Sequence, residues 1–284
     1  MNKYHEILSR FNLQLNDAEI SRKVNEIIDS KAAGNALPEI YKTMYACIDL
    51  TSLNTEDSKE RIWQLVKKVN DFEGTFDMDN VAAICVYPNF VETVKEALTA
   101  DVKIVAAAGG FPSSQTFMEV KIAEVGLAVA EGADEIDVVM NLGAFFDDDF
   151  ETVCVEIEEL KEACREARLK VILETGLLKT ASDIKRASLL AIYSGADFLK
   201  TSTGKGYPGA TPEAVYVMCK AIREYNQLHN KKIGIKVSGG IRTAADAVKY
   251  YTIVKEMLGK EWLNPDYFRI GASGLTTNLL EAIG

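Results

Sequence analysis

ADFLKTSTGKGYPGAT, residues Ala196–Thr211, reads as a short apolar strand that delivers a lysine, Lys200, just ahead of a run of Thr, Ser and Gly. KIGIKVSGGIR, residues Lys232–Arg242, repeats the form with Lys236 ahead of Ser-Gly-Gly. In a closed α/β barrel the C-terminal ends of the strands carry the chemistry. Two lysines raised from neighbouring strands suit one amine acting as nucleophile while the other keeps it partly neutral by like-charge repulsion.

Outward from these stretches the same rhythm continues. Strands are expected at 46–50, 82–87, 103–107, 135–140, 170–174, 198–201, 234–237 and 268–270, all short and apolar. Helical patterns follow them at 57–70, 90–100, 116–131, 150–167, 181–194, 211–228, 243–258 and 275–282. Thr211-Pro212-Glu213 supplies a cap, a proline at the first helical position and an early acid; Ser182 or Asp183 is read as the cap of its own helix. Strands this short and apolar belong in a parallel sheet buried on both faces. Eight strand–helix units favour a (β/α)8 TIM barrel over a doubly wound sheet. Before them, residues 1–44 read as an N-terminal helical extension on the flank of a barrel spanning 45–284. In it Asp17 is expected to cap a helix with Ile20, Val24, Ile27 and Ile28 in one stripe.

Composition narrows the function. The 284 residues are 48% hydrophobic with a net charge of −10, which argues against general affinity for nucleic acid or acidic membrane. There are two histidines, His5 and His229, so acid–base work falls to Lys, Asp and Glu, and no metal or other cofactor is expected. Five scattered cysteines without a CxxC pair read as reduced structural thiols of a cytoplasmic protein. No signal-peptide core and no apolar run long enough for a membrane span is evident.

Charges inside apolar strands need a reason, because burying an unpartnered ion costs several kcal/mol. Asp49, Asp137, Lys170, Glu174, Lys200 and Lys236 fall within or at the ends of the expected strands. Alternation with aliphatics turns Asp137, Lys200 and Lys236 into the barrel, whereas Lys170, at a strand start, is expected to lean into solvent.

With IDLT (Ile48–Thr51), AICVYP (Ala83–Pro88), GGFPSSQT (Gly109–Thr116), ADEIDVVMN (Ala133–Asn141), KVILETG (Lys170–Gly176), ADFLKTSTGK, GIKVSGGIR and FRIGAS (Phe268–Ser273) in this order, the chain resembles the deoxyribose-phosphate aldolase family. The resemblance implies reversible cleavage of 2-deoxy-D-ribose 5-phosphate to acetaldehyde and D-glyceraldehyde 3-phosphate through a lysine imine. It implies the imine on Lys200, its perturbation by Lys236, proton transfer by Asp137 and support from Asp49. Cys85 and Thr203 would lie near substrate, and the phosphate would be held around Gly204, Lys205, Gly239, Gly240, Gly271 and Ser273. Small sugar-phosphate and aldehyde substrates are the implied partners, and a homodimer is the expected assembly. The chain departs from the common family pattern at Val237-Ser238, at Gly274 in place of a second serine, and at Phe111-Pro112-Ser113-Ser114.

The chemistry can also be argued from residues up. Cleaving a 3-hydroxy aldehyde leaves electrons at C2, and a lysine iminium accepts them without a metal. The paired glycines after the last two strands, with a short helix following, form the usual barrel phosphate site. A related Schiff-base aldolase, a sugar-phosphate isomerase and a non-catalytic scaffold are the competing readings.

Overall fold

In the computed structural model, which describes residues 3–73, 75 and 77–284, the strands close on themselves in sequence order as one parallel barrel. Three helices precede it: α1 (Lys3–Ser9), α2 (Asp17–Lys31) and α3 (Pro38–Ala46). Then come β1 (Ile48–Thr51), α4 (Lys59–Phe72), β2 (Ala83–Val86), α5 (Val91–Ala97), β3 (Lys103–Ala108), α6 (Met118–Glu131) and β4 (Glu135–Val139). The chain continues through α7 (Leu142–Phe146), α8 (Phe150–Ala163), β5 (Arg168–Ile172), α9 (Ala181–Tyr193), β6 (Phe198–Lys200) and α10 (Pro212–His229). It ends with β7 (Gly234–Ser238), α11 (Ala244–Leu258), β8 (Phe268–Ala272) and α12 (Leu275–Ile283). This is the TIM barrel expected from the sequence; α1 falls within the expected N-terminal helical extension, and α7 is an addition to the expected set.

Period-two alternation sorts the strand residues into two populations. Outward aliphatics such as Ile84, Ile136, Leu169, Val171, Leu199, Ile235 and Ile270 are buried against the surrounding helices. Each contributes roughly 1.5–3 kcal/mol by leaving water. The inward set is different: small residues Ala83, Cys85, Val105 and Ala107 on one side, and charges on the other. Gly234 faces inward as well. A Cβ there would overlap the Phe198 ring, so the ring occupies barrel space that only a glycine partner leaves open.

Two helix caps lie N-terminal to their expected positions. Asn16, not Asp17, caps α2 by accepting from Glu19 N at 3.0 Å, while Asp17 accepts from Ala181 N across the molecule. Thr180, not Ser182 or Asp183, caps α9, and Ser182 Oγ instead accepts from Leu15 N. Both displaced side chains thus tie the N-terminal segment to the start of α9. Thr211 caps α10 as expected, with Pro212 opening the helix. α1 packs on α8 and α9, α2 on α10 and α11, and α3 on α11 and α12.

Candidate active site

Strand register assembles the site. Lys200 pairs with Lys236 across β6–β7, and Lys236 with Arg269 across β7–β8, so three basic side chains stand side by side. Across β4–β5, Asp137 pairs with Lys170, and β1 brings Asp49 beside Gly271 of β8. Gly271 is small where it must be, since a Cβ there would press on the Lys236 side chain at 3.1 Å.

Asp137 is the hub. Its Oδ1 accepts from Lys170 Nζ at 2.9 Å, and its Oδ2 accepts from Lys200 Nζ at 2.8 Å and Lys236 Nζ at 2.7 Å. Lys236 also meets Asp49 Oδ2 at 2.5 Å, and the other Asp49 oxygen takes Arg269 at 2.7 Å. Arg269 forks onto Glu135, and Glu135 reaches Lys170 at 2.6 Å. All seven residues are buried.

Within this network four basic groups face three carboxylates, and one proton too many is held away from water. The least costly relief is a neutral lysine, and the electrostatics select Lys200. Burial pushes its pKa down and Lys236 pushes the same way, outweighing the pull of Asp137. Burial also opposes the charge on Lys236, yet Asp137 and Asp49 outweigh it and raise its pKa. Lys170 is likewise raised, by Asp137 and Glu135 against burial. Burial disfavours the Asp137 and Asp49 carboxylates too, but the surrounding cations hold both below the usual range. Of the three amines, Lys200 alone is thus pushed toward its neutral form, next to a carboxylate whose ionised form is favoured.

Lys170 corrects the sequence reading. It was expected to lean into solvent and is instead wholly buried. β5 begins two residues earlier than expected, so Arg168 takes the exposed edge and pairs with Asp266, while Lys170 occupies an inward position. Arg269 and Glu135 complete the network and were not proposed as site residues. Their signal in the sequence was a charge alternating with apolar residues in FRIG and EIDV.

Above the network lies a cavity of about 480 Å³. Lys200 lines it together with Thr203, Gly204, Lys205, Gly239, Gly240, Gly271 and Ser273, so the structure brings these proposed residues into one space. Lys236, Asp137, Asp49 and Cys85 do not line it; the first three reach it through contacts beneath Lys200. Burial raises the Cys85 thiol's pKa, which keeps it protonated. Gly239 and Gly240 both hold φ in the left-handed region, at 89° and 82°, a conformation that turns backbone N–H groups toward a concave anion site. Gly274 precedes α12 with no side-chain cap, leaving the first turn of that helix open to the cavity.

Two further residues bear on the cavity. Arg242 lines it, as Lys205 does, and adds a second cation to its wall. Glu174, buried and in the left-handed region at φ 51°, accepts from Thr203 N at 3.2 Å and Thr203 Oγ1 at 2.6 Å. Thr203 Oγ1 in turn accepts from Lys205 N at 3.0 Å, so the carboxylate fixes the turn that carries Gly204 and Lys205. The sequence flagged Glu174 only as a strand-end charge.

The chain matches the family model described as DeoC/LacD family aldolase over residues 43–272. It is 41% identical over 244 residues to the deoxyribose-phosphate aldolase of Homo sapiens, covering 82% of this chain and 77% of that protein. The Mus musculus deoxyribose-phosphate aldolase is 40% identical with the same coverage. Among solved structures, the tetrameric deoxyribose phosphate aldolase from Aeropyrum pernix superposes with a TM-score of 0.67 at 25% identity, covering 91% of this chain and 95% of that one.

Proposed function

Because this chain belongs to the family of DeoC/LacD aldolases, we propose that it reversibly cleaves 2-deoxy-D-ribose 5-phosphate to acetaldehyde and D-glyceraldehyde 3-phosphate through an imine on Lys200. The observation that carries the reading is that Lys200 alone among the three clustered lysines has a lowered pKa and also lines the cavity.

In this mechanism the Lys200 amine adds to C1 of the open-chain sugar and water leaves, giving a protonated imine. Asp137, 2.8 Å from that nitrogen, accepts the C3 hydroxyl proton directly or through a water shared with Lys236. The C2–C3 bond then breaks, its electrons enter the iminium as an enamine, and D-glyceraldehyde 3-phosphate departs. C2 regains a proton, and hydrolysis of the imine releases acetaldehyde and the free amine. The iminium restores the cluster's surplus positive charge, which Asp137 and Asp49 stand ready to offset. Thr203 would orient the sugar chain near the buried Cys85, whose protonated thiol takes no covalent part. Gly204, Lys205, Gly239, Gly240, Gly271 and Ser273 would hold the phosphate, with Arg242 adding charge.

Five free, buried cysteines fit a cytoplasmic enzyme, and a homodimer is the assembly expected in solution. Among the described residues no helix is long and apolar enough to cross a membrane. Borohydride reduction in the presence of acetaldehyde, followed by peptide mass mapping, tests the covalent step. An ethyl group on Lys200 is the expected result. An adduct on Lys236 or Lys170 would overturn the assignment, and a substrate panel led by 2-deoxy-D-ribose 5-phosphate checks the sugar.

A further inference from the structure

Apart from the amine cluster, the barrel holds a second buried ion pair. Lys121 of α6 is 1% exposed, and its Nζ lies 2.6 Å from Glu156 Oε1 of α8 and 2.7 Å from Ser114 Oγ. Glu156 Oε2 also accepts from Asn141 Nδ2 at 3.2 Å. None of these residues lines the cavity that contains Lys200. An ion pair this deep is weak evidence for stability, since apolar residues of similar volume often serve as well. Ser114 is moreover a non-glycine residue in the left-handed region, at φ 58°. These costs concentrate on one loop, Gly109–Thr116, which follows β3 at the mouth of the barrel.

The loop is held on both sides. Gly110 N donates to Glu124 Oε2 of α6 at 2.8 Å, and Ser114 N closes back onto Gly110 O at 2.9 Å. Between these anchors sits Phe111. Its ring packs against the buried cluster formed by Leu53, Ala83, Cys85, Val105 and Ala107 and meets Tyr87 edge-on with centroids 6.2 Å apart. The Lys200 Nζ lies 6.0 Å from its centroid. A ring in that place excludes water from the amine and turns a negative π face toward the iminium as it forms.

We propose that Lys121, Ser114 and Glu156 are positioning residues that hold Phe111 over the Lys200 amine and so set how readily the imine forms. The inference rests on the reading of Lys200 as the Schiff-base lysine. It separates these residues from substrate contact and assigns their effect to one intermediate, the aromatic ring.

A double-mutant cycle on imine formation tests it, using acetaldehyde and borohydride across a pH series with the intact protein. Lys121→Met and Ser114→Gly should each slow trapping on Lys200 at pH 7 by about tenfold. In a Phe111→Leu background the same changes should have little further effect, because the group they act through is gone. Ser114→Gly is the safer variant, since glycine accepts the left-handed backbone and the buried Lys121–Glu156 pair keeps both of its charges matched; it decides the question if Lys121→Met does not fold. Losses of equal size with and without Phe111, or an unchanged trapping rate in folded Ser114→Gly, would overturn the proposal alone. Failure of the parent protein to form any adduct on Lys200 would instead overturn the assignment of the Schiff base, and this inference with it.

Discussion

A lysine amine is neutral near pH 7 only where its surroundings make the proton costlier than it is in water. Lys170, Lys200 and Lys236 touch the same carboxylate, and what separates them is the number of other anions each can reach. Lys236 has Asp49 besides, Lys170 has Glu135 besides, and Lys200 has Asp137 alone. On this argument Lys170 matters to the chemistry although it does not line the cavity. Lys170→Met removes one cation, leaves Asp137 less satisfied, and so makes Lys200 hold its proton more firmly. Activity at pH 7 should fall by about tenfold and recover partly in more alkaline buffer. Stability should also fall, by about 3–5 kcal/mol, as expected when a buried ion loses its partner. Activity assays and thermal denaturation of the same preparation check both. A variant as active and as stable as its parent would mean that Lys170 is the solvated strand-end charge its sequence position suggested.

At the scale of strands and helices, much was legible. The alternation of aliphatics with charges located β4, β6 and β7 closely and turned Asp137, Lys200 and Lys236 inward, where the structure has them. What escaped was anything that depends on a boundary. Depth along a strand is known only relative to its start, and the unrecognised start of β5 at Arg168 left Lys170 at the solvent end of its strand instead of one pleat inside it. Helix caps slipped in the same way, because Asn16 and Asp17, or Thr180 and Ser182, are equally good caps until the fold gives one of each pair another partner. Arg269 needed more than its own strand. Its carboxylate partners stand on β1 and β4, and only closure of the barrel makes them neighbours. Packing between strands offers its own check at Gly234, where an added methyl would enter the Phe198 ring. Gly234→Ala should cost about 1–3 kcal/mol by overpacking, whereas Gly34→Ala, which meets nothing within 4 Å, should stay within about 0.5 kcal/mol. Equal melting temperatures for the two variants would show that the barrel interior yields there.

Over the whole molecule, the barrel does two things at once. It buries a network with one basic group in excess of its carboxylates, and it opens above that network a cavity whose rim is glycine backbone, Lys205, Arg242 and the start of α12. In the proposed reaction a phosphorylated hydroxy aldehyde would span this space with its carbonyl end on Lys200 and its phosphate on the rim. The central claim is that surplus positive charge keeps Lys200 neutral, and Lys236→Leu addresses it directly. With Lys236 gone, three carboxylates face three basic groups, and the cluster balances with Lys200 protonated. For amines about 5 Å apart at an effective dielectric near 20, the lost repulsion is roughly 3 kcal/mol before screening. Asp49 and Asp137, each freed of one cation, act in the same direction. Imine formation requires the neutral amine, so its rate rises with pH through the Lys200 pKa, and the rising limb should move to higher pH in the variant. At pH 7 the rate should fall by about 10²-fold or more and recover as the buffer becomes alkaline. The measurement is the pH dependence of borohydride-trapped imine on Lys200 in parent and Lys236→Leu, taken apart from overall turnover. A limb displaced to alkaline pH in the variant is the predicted result, and a limb at the same pH in both proteins would contradict the account even if Lys236 proved essential for turnover.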